Sequence, residues 1–272
     1  AGVRRGVGIG IERLDVENSV RPLVRDEEVN RRRGRVDVQA QALGDREIED
    51  DEADAGASLG LCLFFVYFRM FTKKSEIYVK FFVMGILFLL LMLTFSRTVY
   101  VAIILSLIAL FIKQKKYVFI GITIGVFIIL AVFIPKPIGV GVQLFRTFSV
   151  DTRIQNAIEG VQLWTKNPIL GVGYNRIRYE KAGLGLTGKY DVSHAASSYH
   201  SSFVTMLVAG GALGLLGLLG MLGMLGRISI PSFYYILFLS ILSCGDNALL
   251  HPFILFLLLK LLAFEFNQSS LE

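Results

Sequence analysis

The sequence predicts an all-α polytopic membrane protein, with about six to seven membrane helices and one large extracytoplasmic loop containing an amphipathic helix. Three observations predict it. Of 272 residues, 54% are hydrophobic and 12% aromatic against only 18% charged, and the mean hydropathy is +0.60, which does not fit a soluble globule. Long apolar runs recur between residues 57 and 264, with positive charge gathered in the short connections between them. One long stretch of mixed polarity, residues 135–202, interrupts that series. The net charge of +6 does not point to nucleic acid, because the cations are not interleaved with aromatics on a soluble surface.

Residues 1–56 come first and differ from the rest. They hold ten Arg, no Lys and fourteen acids, 10 − 14 = −4, with Arg31, Arg32 and Arg33 in a row and an acidic run from Glu47 to Asp54. With neither helical nor alternating apolar periodicity, they read as a disordered hydrophilic tail. They lack an apolar h-region, so the tail is not a secretory signal peptide. The remaining residues use eleven Lys and seven Arg, a contrast that suggests a foreign origin for the tail; a native cytoplasmic tail is the alternative.

Residues 57–134 then carry apolar runs at 57–71, 79–95, 98–112 and 117–134, and residues 203–264 carry runs at 203–226, 230–243 and 249–264. A spanning helix needs about 20 apolar residues. The first run, broken by Arg69, and the sixth are therefore marginal spans. Residues 265–272 form a short polar C-terminus.

Charge orients these spans. Arg69, Lys73, Lys74 and Lys80 flank one connection and Lys113, Lys115 and Lys116 crowd another, which makes both cytoplasmic. By alternation the Ser96-Arg97 turn, residues 135–202 and the Cys244–Asn247 turn face outward, and Arg227 faces inward. The eight Lys/Arg of residues 135–202 do not oppose this, since long loops escape the positive-inside rule.

Few residues in these elements suggest chemistry. Arg97 sits where two apolar runs meet with almost nothing polar between them, and an arginine there needs a partner unless it snorkels to lipid phosphates. Residues 151–164 read as an amphipathic helix, with Asp151 as N-cap, Ile154, Ile158 and Val161 at i, i+4, i+7, and Pro168 as the stop. Arg153 and Trp164 lie about three turns apart on nearly one face, so the helix can rest at a membrane surface with Arg153 at headgroup depth; an ordinary surface helix is the alternative.

Next comes Pro168-Ile169-Leu170-Gly171-Val172-Gly173-Tyr174, a glycine-punctuated turn that is either an anion nest or a simple turn. His200 precedes the fifth run, where an imidazole can act as base or hydrogen-bond an anion. His194 and His251 read as structural. Glycines at 211, 214, 217, 220, 223 and 226 form a groove that admits another helix closely. Cys62 and Cys244 both lie in apolar stretches, so the sequence has neither a disulfide framework nor a Cys-based zinc site. No phosphate loop, HExxH or nucleophile elbow occurs, and Asp151, Glu159, Glu180 and Asp191 are scattered, so no metal and no cofactor is expected.

The order of these signals resembles the O-antigen ligase and polymerase family over about residues 60–264. The resemblance rests on Ser96-Arg97 at a hairpin between spans and Arg153 ahead of Trp164 and Asn167-Pro168-Ile169-Leu170-Gly171-Val172-Gly173. It continues with His200-Ser201 leading into Gly210-Gly211-Ala212-Leu213-Gly214-Leu215-Leu216-Gly217. It implies a metal-independent glycosyltransferase of lipopolysaccharide and cell-envelope polysaccharide synthesis in the bacterial cytoplasmic membrane, with its site on the periplasmic or extracellular side. The donor would be an undecaprenyl-diphosphate-linked glycan, and the acceptor another glycan, lipid A-core or a protein.

The resemblance also implies that Arg97, Arg153 and His200 are catalytic, with Arg97 and Arg153 binding the diphosphate. His200 would then be a general base or an orienting donor. Two departures stand out: Ser rather than Asn follows the histidine, and there are six or seven apolar runs where the resemblance implies about ten to twelve spans. A transporter of an anionic solute is the competing function, since Arg97 and the glycine-rich span can line a path, and a non-catalytic scaffold is a third.

Overall fold

The computed structural model describes residues 52–69, 77–133, 147–186 and 197–270. The chain divides into two units, 1–48 and 49–272, and the first lies outside the described residues. The described residues are helical and contain no strand. In order they form α1 (52–68), α2 (Ile77–Met92), α3 (Arg97–Lys113), α4 (Tyr117–Phe133), α5 (Thr147–Trp164), α6 (Ile177–Gly183), α7 (Ser202–Leu225), α8 (Ile230–Gly245) and α9 (Pro252–Ser269). Of these, α7 and α9 are long and apolar enough to cross a membrane, and shorter apolar helices occupy Ile77–Met92, Tyr117–Ile129 and Ile230–Gly245.

The core sits where α3 meets α8. Val99, Ala102, Ile103, Leu107 and Leu110 line one side, and Tyr235, Phe238, Leu239 and Leu242 the other, all buried. Glycine brings α1 onto both helices. Gly56 and Gly60 share a face one turn apart; a Cβ on Gly56 would stand 2.6 Å from Val99 Cγ2, and one on Gly60 would overlap the Phe238 ring. In a bilayer, where apolar helices gain little by leaving lipid, such close approach is the main attraction available. By contrast α2 and α4 leave Tyr78, Phe81, Phe82, Val118 and Ile128 exposed, as lipid-facing helices do.

Polar side chains separate to the two ends of this apolar body. At one end Arg69 grips the fully buried Glu265, with Nη2 2.6 Å from Oε2, while Ser229 Oγ and Tyr235 Oη donate to the same carboxylate. Nearby, Tyr67 bonds Gln114 and Lys80 Nζ reaches the Tyr67 carbonyl. At the other end His251 Nε2 lies 3.2 Å from Asp54 Oδ2, and Ser201 and Ser202 bond Ser243 and Asn247. Each pair joins ends that successive antiparallel helices would bring together.

Several boundaries differ from the sequence reading. Residues 52–56, read as tail, are the first turn of α1, with Ala53 buried and Asp54 paired to His251. Contacts with Val99 on α3 and with His251 at the head of α9 fix that turn, and its acidic composition does not reveal them. Likewise α9 continues to Ser269, because Glu265, read as part of a polar C-terminus, is neutralised inside the bundle by Arg69. The amphipathic helix begins at Thr147, so Asp151 lies within it rather than capping it. The six-glycine span is no single groove: α7 breaks at Gly211 (φ 65°, ψ −165°), and a Cβ on Gly217, Gly220 or Gly223 would meet nothing within 4 Å.

Candidate functional site

The N-terminus of α3, the first turns of α5, the start of α7 and the end of α8 meet at one pole of the bundle. The α2–α3 turn is tight: Phe95 takes a left-handed backbone (φ 52°), a conformation that costs a non-glycine residue roughly 1–3 kcal/mol and persists only when its surroundings fix it. Ser96 and Thr98 follow with their hydroxyls 3.1 Å apart, and Arg97, half-buried, is the first residue of α3.

Asp246 organises this pole. It is 4% exposed, and a buried carboxylate must be paired to be tolerated. Its Oδ1 lies 3.0 Å from Arg153 Nη2, and its Oδ2 accepts from Thr98 Oγ1. Arg153 Nη1 donates to the Gly245 carbonyl at 2.8 Å, so two nitrogens of one guanidinium are held by consecutive residues of one turn. Gly245 has to be glycine for this: a Cβ would stand 2.8 Å from Thr98 Cγ2 and 3.2 Å from Arg153 Nη1.

The same face of α5 reaches the histidine. Asn156, one turn beyond Arg153, accepts from the His200 backbone N–H at 3.2 Å. Around it the Ser198–Ser201 segment is bolted at each residue. Lys181 Nζ donates to the Ser198 carbonyl at 2.7 Å and stands 3.9 Å from the centre of the Tyr199 ring. Tyr199 N donates to Thr205 Oγ1 at 3.0 Å, and Ser201 Oγ to the Ser243 carbonyl at 2.9 Å. Lys181 is only 2% exposed, and burial pushes the Tyr199 phenol well above its ordinary pKa. His200 itself remains half-buried.

Of the residues singled out from the sequence, Arg153 and His200 are therefore brought together on one face of α5, and Arg97 is the chain neighbour of the Thr98 that shares Asp246 with Arg153. His194 lies outside the described residues, and His251 pairs with Asp54. Among the described residues no three His, Cys, Asp or Glu side chains come together as metal ligands. Sequence reasoning missed Asp246, Thr98, Asn156 and Lys181. For Asp246 the signal existed: it is the one acid between the last two apolar runs, and the argument that an arginine at Arg97 needs a partner applies to it equally.

A family model described as O-antigen ligase matches residues 81–219, just over half of the chain. The chain belongs to the O-antigen ligase family. O-antigen ligases are membrane proteins and enzymes of the glycosyltransferase or ligase type, as the order of motifs implied. The matched O-antigen ligase stretch contains Arg97, Arg153, Asn156, Lys181 and His200, whereas Asp246 lies beyond it. The transporter weighed from the sequence gains no support from membership of the O-antigen ligase family. No curated protein matches the chain.

Proposed function

We propose that the protein transfers a glycan from an undecaprenyl-diphosphate carrier to an acceptor hydroxyl on the outer face of the bacterial cytoplasmic membrane, without a metal. The observation that carries this reading is the polar pole itself, where Arg153 is fixed by Asp246 and Gly245 while Asn156, one turn away on α5, holds His200. Arg97, Arg153 and Asp246 gather at the pole that the charge distribution of the short connections assigns to the outer surface.

In the reaction the acceptor oxygen bonds to the anomeric carbon as the bond from that carbon to the diphosphate oxygen breaks. The bonding pair leaves with the diphosphate. Guanidiniums offer planar pairs of donors for its oxygens, and a guanidinium already oriented by Asp246 need not reorganise as charge develops. The acceptor's proton passes to His200 if the imidazole is the base; otherwise His200 orients the diphosphate, which takes the proton itself.

The test is direct transfer. Purified protein in proteoliposomes should release undecaprenyl diphosphate from a radiolabelled donor and move the label to a hydroxyl acceptor in the presence of chelator. A donor that stays intact with glycan, lipid A-core and protein acceptors alike would overturn the reading.

A further inference from the structure

The end of the bundle opposite Arg153 carries cations on its outside. Lys80 is in the first turn of α2, Lys113 is the last residue of α3, Lys115 and Lys116 lie in the α3–α4 turn, and Arg227 follows α7 by two residues. Each is within about one turn of a helix terminus, and contacts join them into one face. Lys80 Nζ stands 5.4 Å from the centre of the Tyr67 ring, whose hydroxyl bonds Gln114, the residue between Lys113 and Lys115. Lys113 Nζ stands 5.7 Å from the centre of the Phe233 ring, and a Cβ on Gly226, the residue before Arg227, would lie 3.8 Å from Phe233 Cα.

Carboxylates do not balance this face. Glu265, which stands at this end, is held by Arg69, Ser229 and Tyr235. Among the described residues none of Lys80, Lys113, Lys115, Lys116 and Arg227 is ion-paired. Lys73, Lys74 and Glu76, outside the described residues, add 2 − 1 = +1 in sequence.

The backbone of Lys115 is a second observation. Helix α3 closes as a Schellman motif, with Lys116 N–H donating to the Phe111 carbonyl at 2.9 Å and Lys115 N–H to the Ile112 carbonyl at 3.0 Å. Lys115 thereby takes φ 57°, in the left-handed position that glycine usually fills because a side chain is strained there. A lysine gives up local stability at this position, and what it adds is charge.

Apolar side chains adjoin that charge. Phe119, whose ring centre is 6.0 Å from Lys116 Nζ, is 49% exposed, and Phe233, Ile230 and Val118 are exposed as well. Amines over exposed rings face water and hydrocarbon together, as lysines at a membrane surface do. A free anion or an acidic protein would use the cations alone, whereas a phospholipid uses both. The charge of the short connections assigns this end to the cytoplasm, and the cytoplasmic leaflet is the one rich in anionic lipid.

We propose that Lys113, Lys115, Lys116 and Arg227, bordered by Lys80, form a binding surface for anionic phospholipid. The cations take the headgroup phosphate, and the exposed apolar side chains of α4 and α8 take the acyl chains. Phosphatidylcholine offers the same phosphate but brings its own cation. The surface lies at the end away from Arg153 and His200 and is independent of the transfer reaction.

Full-length protein in uncharged detergent is titrated with phosphatidylglycerol, with phosphatidylcholine of the same chains, with inorganic phosphate and with polyglutamate. The midpoint of thermal unfolding is followed, since a ligand of the folded state raises it according to its affinity. The expected result is a rise with phosphatidylglycerol alone. A cation beside an anionic lipid surface contributes about fivefold in affinity, so Lys115→Gly should bind phosphatidylglycerol about fivefold more weakly and the triple variant Lys113→Gln, Lys116→Gln, Arg227→Gln about 100-fold more weakly. Without lipid, Lys115→Gly should unfold at or above the wild-type midpoint, because the strain at Lys115 is gone. An equal rise with phosphatidylcholine would make this a general lipid contact, with inorganic phosphate an ion site and with polyglutamate a protein-docking site, and each overturns the proposal. Wild-type affinity for phosphatidylglycerol in either variant overturns it too. If the triple variant does not fold, Lys115→Gly decides alone.

Discussion

Arg153 and Asp246 lie 3.0 Å apart, 93 positions away in sequence, and the carboxylate that orients this guanidinium is shared with Thr98 at the head of α3. Asp246→Asn keeps the shape and removes the charge. If Asp246 fixes the guanidinium for a diphosphate, this change should lower kcat by up to about 100-fold, the cost of misplacing a catalytic group by about 1 Å. Arg153→Lys should act in the same direction, since one ammonium cannot serve Gly245 and Asp246 as a planar fork does. Wild-type turnover in both variants would reduce the pair to a structural tie.

Where α7 breaks, the turn Pro168–Gly173 exchanges backbone hydrogen bonds with it, and the meeting of Gly171 with Gly211 there makes a stability prediction. Both take positive φ, and a Cβ on Gly171 would lie 2.5 Å from Gly211 N. Gly211 occupies a backbone region that is essentially glycine-only, so Gly211→Ala should cost at least about 1–3 kcal/mol from strain alone. Gly217→Ala, in an ordinary helical turn with open space around it, should be neutral or stabilising by up to about 1 kcal/mol. Thermal unfolding in detergent compares the two, and equal midpoints would contradict the inserted turn.

At the opposite end, Arg69→Met strands the buried Glu265 and should cost about 3–5 kcal/mol, read as a lowered melting midpoint. The double variant Arg69→Met, Glu265→Leu should recover much of that loss, since an apolar pair of similar size often replaces a buried ion pair without penalty. A double variant no more stable than the single one would mean that the Ser229 and Tyr235 hydroxyls depend on the carboxylate as much as Arg69 does.

What could be read from the sequence, and what could not, follows from how far apart the interacting groups are. Helices α2, α3, α4, α7, α8 and α9 are local apolar runs, and their ends fall within a few residues of those read from hydropathy. Gly56 and Gly60 are small for the sake of Val99 and Phe238, partners that no local pattern names, so the start of α1 reads as tail in the sequence. The break at Gly211 was hidden for a related reason. Its evenly spaced glycines look alike in sequence, and only the arrival of Pro168–Gly173 distinguishes one of them. At the polar pole, Arg97, Arg153 and His200 stand out in the sequence by type and place, whereas Asn156, Thr98 and Lys181 join them through geometry alone.

Lys181 should position His200 without touching substrate. Its ammonium holds the Ser198 carbonyl and the Tyr199 ring, the two residues before His200. Lys181→Met leaves that carbonyl without its donor, worth about 1–3 kcal/mol, and frees the segment. The expected outcome is a fall in kcat with little change in KM for the donor, partly rescued by Lys181→Arg. A change confined to melting temperature would make the lysine a packing element.

His200 should matter to transfer more than to folding, because its side chain is half-buried and its backbone N–H, held by Asn156, survives substitution. If the imidazole takes the acceptor's proton, His200→Ala should lower transfer by about 100-fold to 10,000-fold while yield and monodispersity in detergent stay as in wild type. His200→Gln separates the two roles. Glutamine can donate a hydrogen bond to a diphosphate but cannot accept a proton near neutral pH, so a base leaves the Gln variant as inactive as the Ala variant, and an orienting donor leaves it substantially active. His194→Ala is the control: its position six residues earlier, in a Ser/Ala-rich stretch, gives no reason for more than a small effect. Wild-type transfer by a folded His200→Ala protein would remove the histidine from the reaction, and loss of transfer in His194→Ala instead would assign the role to the other imidazole.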